Sequence, residues 1–317
     1  MRVLVTGATG FVGSHLLAQL RDAGIVVRAF ARPTSHTSRA EALGAEVVRG
    51  SLLDADDVRR AYEDVDAVVH AAGGGLALEP SAIFRANTET TATLVRCAPP
   101  TLRRFVLVSS LAAHGPSRPG KPATEEEPDA PRSVYGESKL EAERHADALS
   151  CPVTILRPPA LYGEGEHRMD PLLDAARRGV IPMVHPGGTM SLLSGPDCAA
   201  AIVKALTTEH PSGRYYVAEP APITRATMAR TLGRRVGRPD VRVIALPPAT
   251  LRAAAALAEL RARMGAPLVL TRDKVRDVLC RHQACDPSRA MRELDWHPKD
   301  SFIATGRPDR NQEGAAE

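Results

Sequence analysis

The chain has 317 residues, of which 44% are hydrophobic and 25% are charged. This composition excludes a disordered tail, a collagen-like fibre and a disulfide-stapled miniprotein, and the length suggests about two structural units. Aromatic residues make up only 3% and the net charge of +4 is not gathered in one stripe, so we predict that the protein does not bind nucleic acid.

The five cysteines are odd in number and include no C-x-x-C pair, which indicates reduced thiols. Cys280, His282 and Cys285 are close in sequence, but no second ligand cluster is nearby, so we expect no metal site. The first residues show no signal-peptide pattern. The longest uncharged stretch, 179–196, contains Pro and Gly and cannot span a bilayer. We therefore expect a cytoplasmic protein with no membrane partner.

Short apolar segments alternate with longer amphipathic ones in the first half of the chain. Several of them are apolar on both faces, as are strands of a parallel sheet covered by helices, and the spacers are long enough for crossover helices. We predict an α/β fold with a Rossmann-type, doubly wound parallel sheet. Its strands are predicted at Val3 to Thr6, Val26 to Phe30, Glu46 to Arg49, Ala67 to Ala71, Phe105 to Ser109 and Val153 to Arg157.

The pattern changes after Arg157, where Pro and Gly become frequent. We predict a dinucleotide-binding domain over 1–157 and a smaller C-terminal α/β substrate-binding region over 158–304, interleaved with the first. A flexible tail is expected over 305–317. The Ala- and Leu-rich segment 253–263 is interrupted by Arg and Glu, which predicts a packed amphipathic helix and not a membrane anchor.

The first predicted strand ends in a glycine-rich turn with the sequence TGATGFVG, and a helical pattern follows from Ser14. Gly7, Gly10 and Gly13 allow a tight turn, close approach of the backbone to a pyrophosphate, and close helix packing. Because this turn lies between a strand and a helix, it predicts a dinucleotide site.

The second predicted strand ends in Ala31 and Arg32. Sites for NAD usually place Asp or Glu here to bind the ribose 2′-hydroxyl, whereas an Arg can pair with a 2′-phosphate. The sequence therefore favours NADP over NAD, with a solvated surface Arg as the alternative.

Tyr135 and Lys139 are four residues apart at the start of a predicted helix and share one helical face. A phenol has a reference pKa of about 10 and is a poor acid or base at neutral pH. An adjacent ammonium and an oxidised nicotinamide would lower that pKa. A hydroxyl from Ser109 or Ser110, at the end of the fifth predicted strand, can bind the reacting oxygen.

In this order the motifs resemble the short-chain dehydrogenase/reductase superfamily, specifically its extended branch, the NAD-dependent epimerase/dehydratase family. The resemblance covers residues 1 to about 300. It rests on the glycine turn, His70-Ala71-Ala72-Gly73, Asn87, Ser109-Ser110, the Tyr135 and Lys139 pair, and Arg157-Pro158-Pro159-Ala160-Leu161-Tyr162-Gly163.

The resemblance implies that Tyr135 is the catalytic acid or base, that Lys139 holds the nicotinamide ribose, and that Ser110 orients the substrate carbonyl. Ser110 is preferred over Ser109 because of its spacing from His114-Gly115. A homodimer is also implied, paired through the helices that carry Asn87 and Tyr135. The implied cofactor-binding residues are Gly7, Thr9, Gly10, Phe11, Val12, Gly13, Arg32, Ser51, Leu52, Ala71, Ala72, Gly73, Asn87, Tyr135, Lys139 and Pro158.

Three positions depart from the family pattern. Ser51 replaces an Asp that commonly contacts adenine, and His114 replaces a Tyr. Ala160 stands where nucleotide-sugar epimerases typically carry Asn, which argues against a sugar-nucleotide substrate.

We predict an NADP(H)-dependent oxidoreductase that interconverts a ketone and a secondary alcohol on a small or medium hydrophobic substrate. The loop Gly73 to Leu78, with Met183 and Leu192, is expected to supply apolar surface, and a diphosphate would need Arg168, Arg177 or Arg178. The alternatives are a nucleotide-sugar epimerase or dehydratase with bound NAD, and a dinucleotide-binding regulator without turnover.

Overall fold

The apolar segments of the first half form strands, as their valine and leucine content predicts. The computed structural model describes residues 1–209 and 211–306. The strands are β1 Arg2–Thr6, β2 Val26–Ala31, β3 Glu46–Arg49, β4 Ala67–His70, β5 Arg104–Val108, β6 Val153–Arg157, β7 Ala160–Tyr162, β8 Val180–Met183, β9 Thr189–Met190, β10 Leu192–Ser194, β11 Gly213–Tyr216, β12 Ile223–Thr224 and β13 Arg242–Ala245.

Helices fill the spacers between the strands. They are α1 Phe11–Asp22, α2 Ser38–Ala42, α3 Ala55–Ala61, α4 Pro80–Phe84, α5 Thr90–Cys97, α6 Val134–Ala146, α7 Asp170–Arg177, α8 Gly195–Thr207, α9 Arg225–Arg235, α10 Pro248–Arg263, α11 Arg272–Val278 and α12 Ser288–Glu293. A π-helical segment, Arg85–Glu89, joins α4 to α5, and 3-10 turns lie at Leu111–Ala113 and Ala304–Gly306.

Seven strands form the central sheet, in the order β11-β6-β5-β4-β1-β2-β3, and every neighbouring pair is parallel. Side chains alternate between the two faces of each strand. In β1, Val3 and Val5 face a core shared with α1 and α8, whereas Leu4 faces a second core that includes Leu94 and Phe105. Burial on both faces explains why the strands are almost continuously apolar.

The C-terminal region joins this sheet at one edge and builds a smaller core of its own. The seventh strand, β11, pairs with β6, although it lies beyond residue 157. The remaining strands form the two-stranded pairs β7 with β10, β8 with β13 and β9 with β12. Leu232 and Phe302 are central to the smaller core.

Two predictions for the C-terminal region need comment. The helix predicted over 253–263 forms as part of α10, but it buries only Ala255 and Glu259, so it is far less packed than the sequence suggests. The tail predicted over 305–317 lies outside the described residues from 307 onward. None of the helices in the described part of the chain has the length and apolar character needed to cross a membrane.

Candidate active site

The glycine turn between β1 and α1 is packed so closely that side chains are excluded at two of its positions. Gly7 has φ +72°, and a Cβ there would lie 2.6 Å from the carbonyl carbon of Ala71. A Cβ on Gly13 would lie 2.2 Å from the Gly7 carbonyl oxygen. These two glycines let α1 begin directly beneath the carboxyl end of the sheet.

The start of α1 presents free amide groups. Gly10 is the N-cap residue and supplies no side-chain cap, so the first N–H groups of the helix have no intrahelical acceptor. Thr9 and Gly10 are exposed. Val12 packs against the core beneath, and the Phe11 ring meets His15 edge to face. The exposed helix start therefore fits the pyrophosphate of a dinucleotide.

The loop after β2 carries an exposed and unpaired cation. Arg32 is exposed, and within residues 1–209 and 211–306 no hydrogen bond or ion pair engages its guanidinium. Arg49, at the end of β3, fastens this loop, because its guanidinium donates to the carbonyl oxygens of Pro33 at 3.0 Å and Ser35 at 3.2 Å and to Thr37 Oγ1 at 2.7 Å. Sequence reasoning missed Arg49, although its position at the end of the strand beside β2 was a usable sign.

The turn after β3 has an acidic residue that the sequence analysis did not consider. Asp57 Oδ2 accepts from the backbone N–H of Ser51 at 2.8 Å. This hydrogen bond and the contact with Arg60 lower the pKa of Asp57. Ser51 is exposed, and its hydroxyl accepts from Leu53 N–H at 3.2 Å, whereas Leu52 is half-buried against the core. The predicted adenine contacts at Ser51 and Leu52 thus lie on a turn fixed by Asp57.

The end of β4 is held by a buried histidine. Thr6 Oγ1 lies 2.6 Å from His70 Nδ1, and Thr91 Oγ1 lies 3.0 Å from Nε2. Burial lowers the pKa of His70 to about 3, and the charge of Lys139 adds to this effect. The imidazole is therefore neutral at physiological pH and serves to link β1, β4 and α5. Ala71 and Ala72 then lie beside the glycine turn, and Gly73 lies beside Asn87.

Asn87 is fully buried in the π-helical segment, and its amide is used by the protein. Its Oδ1 accepts from Gly74 N–H at 3.0 Å, and its Nδ2 donates to the Gly74 carbonyl at 2.7 Å and to Ser138 Oγ at 3.0 Å. These hydrogen bonds connect the loop Gly73 to Leu78 to α6. In the protein itself Asn87 acts as a positioning residue, and its contact with the cofactor stays a prediction.

Tyr135 and Ser110 are neighbours at the carboxyl edge of the sheet. The Ser110 hydroxyl is near enough to the phenol to act on its pKa, and it accepts from Ala112 N–H at 3.1 Å. Ser109 is buried and donates to Glu143 instead. A Cβ on Gly75 would lie 3.3 Å from the Tyr135 ring, so the loop Gly73 to Leu78 covers one side of the phenol. Of the two serines, Ser110 is the one placed to share a ligand with Tyr135.

The ionisation of Tyr135 depends on its burial. Burial raises the pKa of the phenol, and the Ser110 hydrogen bond and the charge of Arg168 oppose that rise only in part. In the protein itself desolvation outweighs the nearby cations, and the lowering expected with an oxidised nicotinamide stays a prediction. The phenol holds its proton at neutral pH and can donate it.

Lys139 lies one helical turn below Tyr135 and is almost fully buried. Its Nζ donates to the Val108 carbonyl at 2.7 Å, and a Cβ on Gly73 would come within 3.8 Å of Nζ. Burial lowers the pKa of Lys139 to about 8, and the charge of Glu143 works against that shift. The ammonium is thus fixed at the base of the site, where it retains two further N–H donors for a ligand.

A buried ionic cluster lies on the next turn of α6, and sequence reasoning missed it. Arg157 at the end of β6 donates from Nε to Glu143 Oε1 at 2.9 Å and to Asp129 through both Nη atoms at 2.7 and 2.8 Å. Arg214 on β11 reaches Glu143 Oε2 at 3.0 Å. Glu143 itself is fully buried. The spacing of Tyr135, Lys139 and Glu143, four residues apart each time, was the available sign.

His114 belongs to the edge of this cluster. Its Nδ1 lies 3.4 Å from Asp129 Oδ1, and its ring meets that of Tyr216 edge to face. Burial acts to raise the pKa of Asp129, but the hydrogen bonds and charges of His114 and Arg157 hold it well below its usual range. His114 is buried, so it supports the loop after Ser110 from beneath.

The remaining predicted residues lie in different surroundings. Pro158 is buried and accepts from Leu111 N–H at 2.9 Å, whereas Ala160 is exposed. Met183 and Leu192 are packed in the smaller core, so the expectation that they line the substrate site is wrong. In contrast, Leu76 in the loop that covers Tyr135 is 42% exposed.

Two of the arginines that the sequence suggested as diphosphate contacts are paired with carboxylates. Arg168, whose charge acts on Tyr135, donates from its N–H and Nε to Glu166 Oε1, both at 2.8 Å, and from Nη2 to Oε2. Arg177 pairs with Asp174 at 2.6 Å on α7. Cys280, His282 and Cys285 do not gather into a metal-binding group within the described residues.

The comparisons with known proteins agree with this arrangement. The model of the NAD dependent epimerase/dehydratase family matches residues 3–218. The chain belongs to this family. A nicotinamide dinucleotide is therefore its cofactor class at family level, and the glycine turn, the free helix start and Lys139 fit such a group.

Individual members of the family that resemble the chain include reductases, dehydrogenases and epimerases. The ceramide reductase of Caulobacter vibrioides is 31% identical over 63% of this chain and 59% of its own length. The 3 beta-hydroxysteroid dehydrogenase/Delta 5-->4-isomerase of Mycobacterium tuberculosis is 27% identical over 94% of this chain and 86% of its own. The solved UDP-glucose 4-epimerase of Thermus thermophilus, in complex with NAD, is 21% identical with a TM-score of 0.78 over 100% of both chains. The predicted family and Rossmann-type fold are thus confirmed.

Proposed function

We propose that the protein is an NADP(H)-dependent oxidoreductase that interconverts a ketone and a secondary alcohol on a small or medium hydrophobic substrate. The observation that carries this proposal is that Ser110 and Tyr135 lie near each other beside an apolar loop, with the nearby Arg168 neutralised by Glu166. A ketone needs hydrogen-bond donors at its oxygen, and it needs no fixed counter-charge.

In the direction of reduction, Tyr135 and Ser110 hold the substrate carbonyl oxygen between two hydroxyl groups. When bound, the nicotinamide supplies the hydride that adds to the carbonyl carbon. Tyr135 then gives its proton to the oxygen, because burial keeps the phenol protonated until negative charge develops there. Lys139 holds a positive charge one turn below, where it stabilises the phenolate that remains. Oxidation of the alcohol runs through the same groups in reverse.

The preference for NADP rests on the loop after β2. Arg32 is exposed and unpaired there, and Ala31 stands in place of a carboxylate. A phosphate oxygen would give the guanidinium a charge-assisted partner. The bonds from Arg49 hold the same loop in place before the ligand arrives, which reduces the ordering required on binding.

Two curated relatives support a hydrophobic substrate, because one is named a ceramide reductase and another a hydroxysteroid dehydrogenase. The epimerase likeness supports the second candidate, a nucleotide-sugar epimerase. Against it, Ala160 offers no amide, and within the described residues Arg168 and Arg177 are both committed to carboxylates. A diphosphate that used Arg168 or Arg177 would have to break the pair that this arginine makes.

The experiment that separates the candidates measures NADPH oxidation with a panel of hydrophobic ketones, beside calorimetric titration of UDP. We expect NADPH oxidation with at least one ketone and no saturable heat with UDP. Micromolar UDP binding that is lost in Arg168→Ala, with no ketone reduced, would overturn the proposal and favour the epimerase. Arg177→Ala is the matched control, since Arg177 is paired in the same way but lies on α7.

A further inference from the structure

Helix α10 carries an apolar face that no part of the described chain covers. Leu257, Leu260 and Met264 are 57%, 55% and 72% exposed. Helical geometry, at about 100° per residue, places these three side chains within one narrow arc. The buried residues Ala255 and Glu259 lie on the opposite side of the helix. The apolar face therefore points away from the protein, whereas large apolar side chains normally point inward.

The same part of the chain has an excess of basic residues. Residues 248–278, which contain α10 and α11, have six basic and three acidic residues, a net charge of +3. Two of the acidic residues accept hydrogen bonds. Glu259 accepts from the backbone N–H and from Nε of Arg272, each at 2.7 Å, and Asp273 accepts from the backbone N–H of Val134 at 2.7 Å.

Arginines also line a groove at the foot of this helix. Arg132, Arg252, Arg272 and Arg276 surround a groove of about 490 Å³ whose floor includes Val275. Guanidinium groups bind phosphate oxygens in pairs and hold them with strong, charge-assisted hydrogen bonds. The groove therefore suits an anionic phosphate head group beside the apolar face.

Helix α11 connects this surface to the candidate active site. It packs against both α10 and α6. Lys274 on α11 has its Nζ 5.9 Å from the centre of the Tyr135 ring, and Asp273 receives the N–H groups at the start of α6. Helix α11 therefore lies between α10 and the helix that carries Tyr135.

We propose that α10 and the arginine groove dock on the surface of an anionic phospholipid bilayer. The apolar face would enter the boundary between head groups and acyl chains, as interfacial helices do. Arg261 and Arg263 lie on either side of that face in the helix, where long side chains reach the head-group level. Helix α10 buries only two residues, so its exposed surface fits a deformable bilayer better than a rigid pocket in a protein partner. This proposal replaces the sequence expectation of no membrane partner and does not depend on the proposed reaction.

The test is co-sedimentation of the full chain with vesicles of phosphatidylcholine, alone or mixed with phosphatidylglycerol, without substrate or nucleotide. We expect binding to the mixed vesicles that weakens as salt is added. Leu260→Asp should lower the partition coefficient by about tenfold or more, because it removes apolar contact and adds like charge. The double variant Arg261→Ala with Arg263→Ala should lower it by about 30-fold.

Ile303→Asp is the matched control, since Ile303 is 46% exposed outside α10 and the change in charge is identical. It should bind like the unmodified protein, and all variants should keep its thermal unfolding temperature because the sites are exposed. Equal binding to both kinds of vesicle, or unchanged binding of Leu260→Asp, would overturn the proposal. A third outcome would also overturn it. If the protein self-associates, Leu260→Asp returns it to the monomer and no vesicle binding is seen, the apolar face of α10 contacts a second copy of the chain.

Discussion

The charged groups beneath α6 and those on the outer surface differ in their exposure to water and in their pairing. Glu143, Arg157 and Asp129 are withdrawn from water and joined by several short bonds. Arg32 and the arginines of the α10 groove are exposed, and Arg32 has no partner among the described residues. Charges buried in protein must be paired to be tolerated, whereas an exposed unpaired guanidinium is free to receive an anion. The first group therefore supports the site, and in the second Arg32 is available to ligands whereas Arg272 already pairs with Glu259.

The strongest test of this contrast breaks the buried cluster. Glu143→Gln leaves Arg157 and Arg214 short of a charged partner, and we expect the free energy of unfolding to fall by about 3–5 kcal/mol. Chemical denaturation monitored by circular dichroism measures this change. The matched control is Glu141→Gln on the same helix, where the exposed pair with Arg144 should contribute less than about 1 kcal/mol. Equal losses in the two variants would mean that the cluster does not differ from a surface pair.

The second test removes the unpaired cation instead. Arg32→Ala should leave stability unchanged but weaken NADPH binding by about 1.5–3 kcal/mol, the scale of a hydrogen bond to a charged group. Fluorescence titration with NADPH and NADH measures the two affinities, and NADH binding should hardly change. Equal weakening for both nucleotides would show that Arg32 does not contact a 2′-phosphate.

The third test varies the pH and depends on Lys139, which lies on α6 one turn from Glu143. We expect its effect to be the smallest of the three. The lowered pKa of Lys139, about 8, means that the unfolded chain holds more protons between pH 8 and its ordinary pKa of about 10.4. The contribution of this lysine to stability therefore rises with pH in that window. Turnover should move the other way, because Nζ loses its charge, and kcat/KM for reduction should fall about tenfold per pH unit above pH 8. Because the pKa of Tyr135 is raised, the fall in kcat/KM that ionisation of the phenol causes should begin at a higher pH than the fall caused by Lys139. A profile that stays flat to pH 10 would contradict this role of Lys139.

The sequence predicted the parts of the site that depend on the geometry of the backbone. Gly7 and Gly13 are required by close contacts with neighbouring backbone atoms, so their spacing between a strand and a helix carried the prediction. The side chains of Tyr135 and Lys139 share a face because helical period fixes it. These relations are local and can be found without a structure.

The sequence did not predict relations that depend on distant contacts. The partners of Asn87, Gly74 and Ser138, are brought to it by the fold. The burial that raises the pKa of Tyr135 in the protein itself also depends on distant contacts. Helix α10 was found correctly in outline, but hydrophobic content alone does not show which face a helix leaves uncovered.

The central claim is that Tyr135 transfers the proton in a site that the buried groups hold in place. Single-turnover reduction of a ketone by Tyr135→Phe, beside NADPH titration of the same variant, tests it most directly. We predict that the rate constant falls by about 10²-fold or more while the Kd for NADPH stays within about twofold, since only one hydroxyl is removed. A variant that keeps more than about a tenth of the rate, a difference of only about 1.4 kcal/mol, would assign the proton to another group.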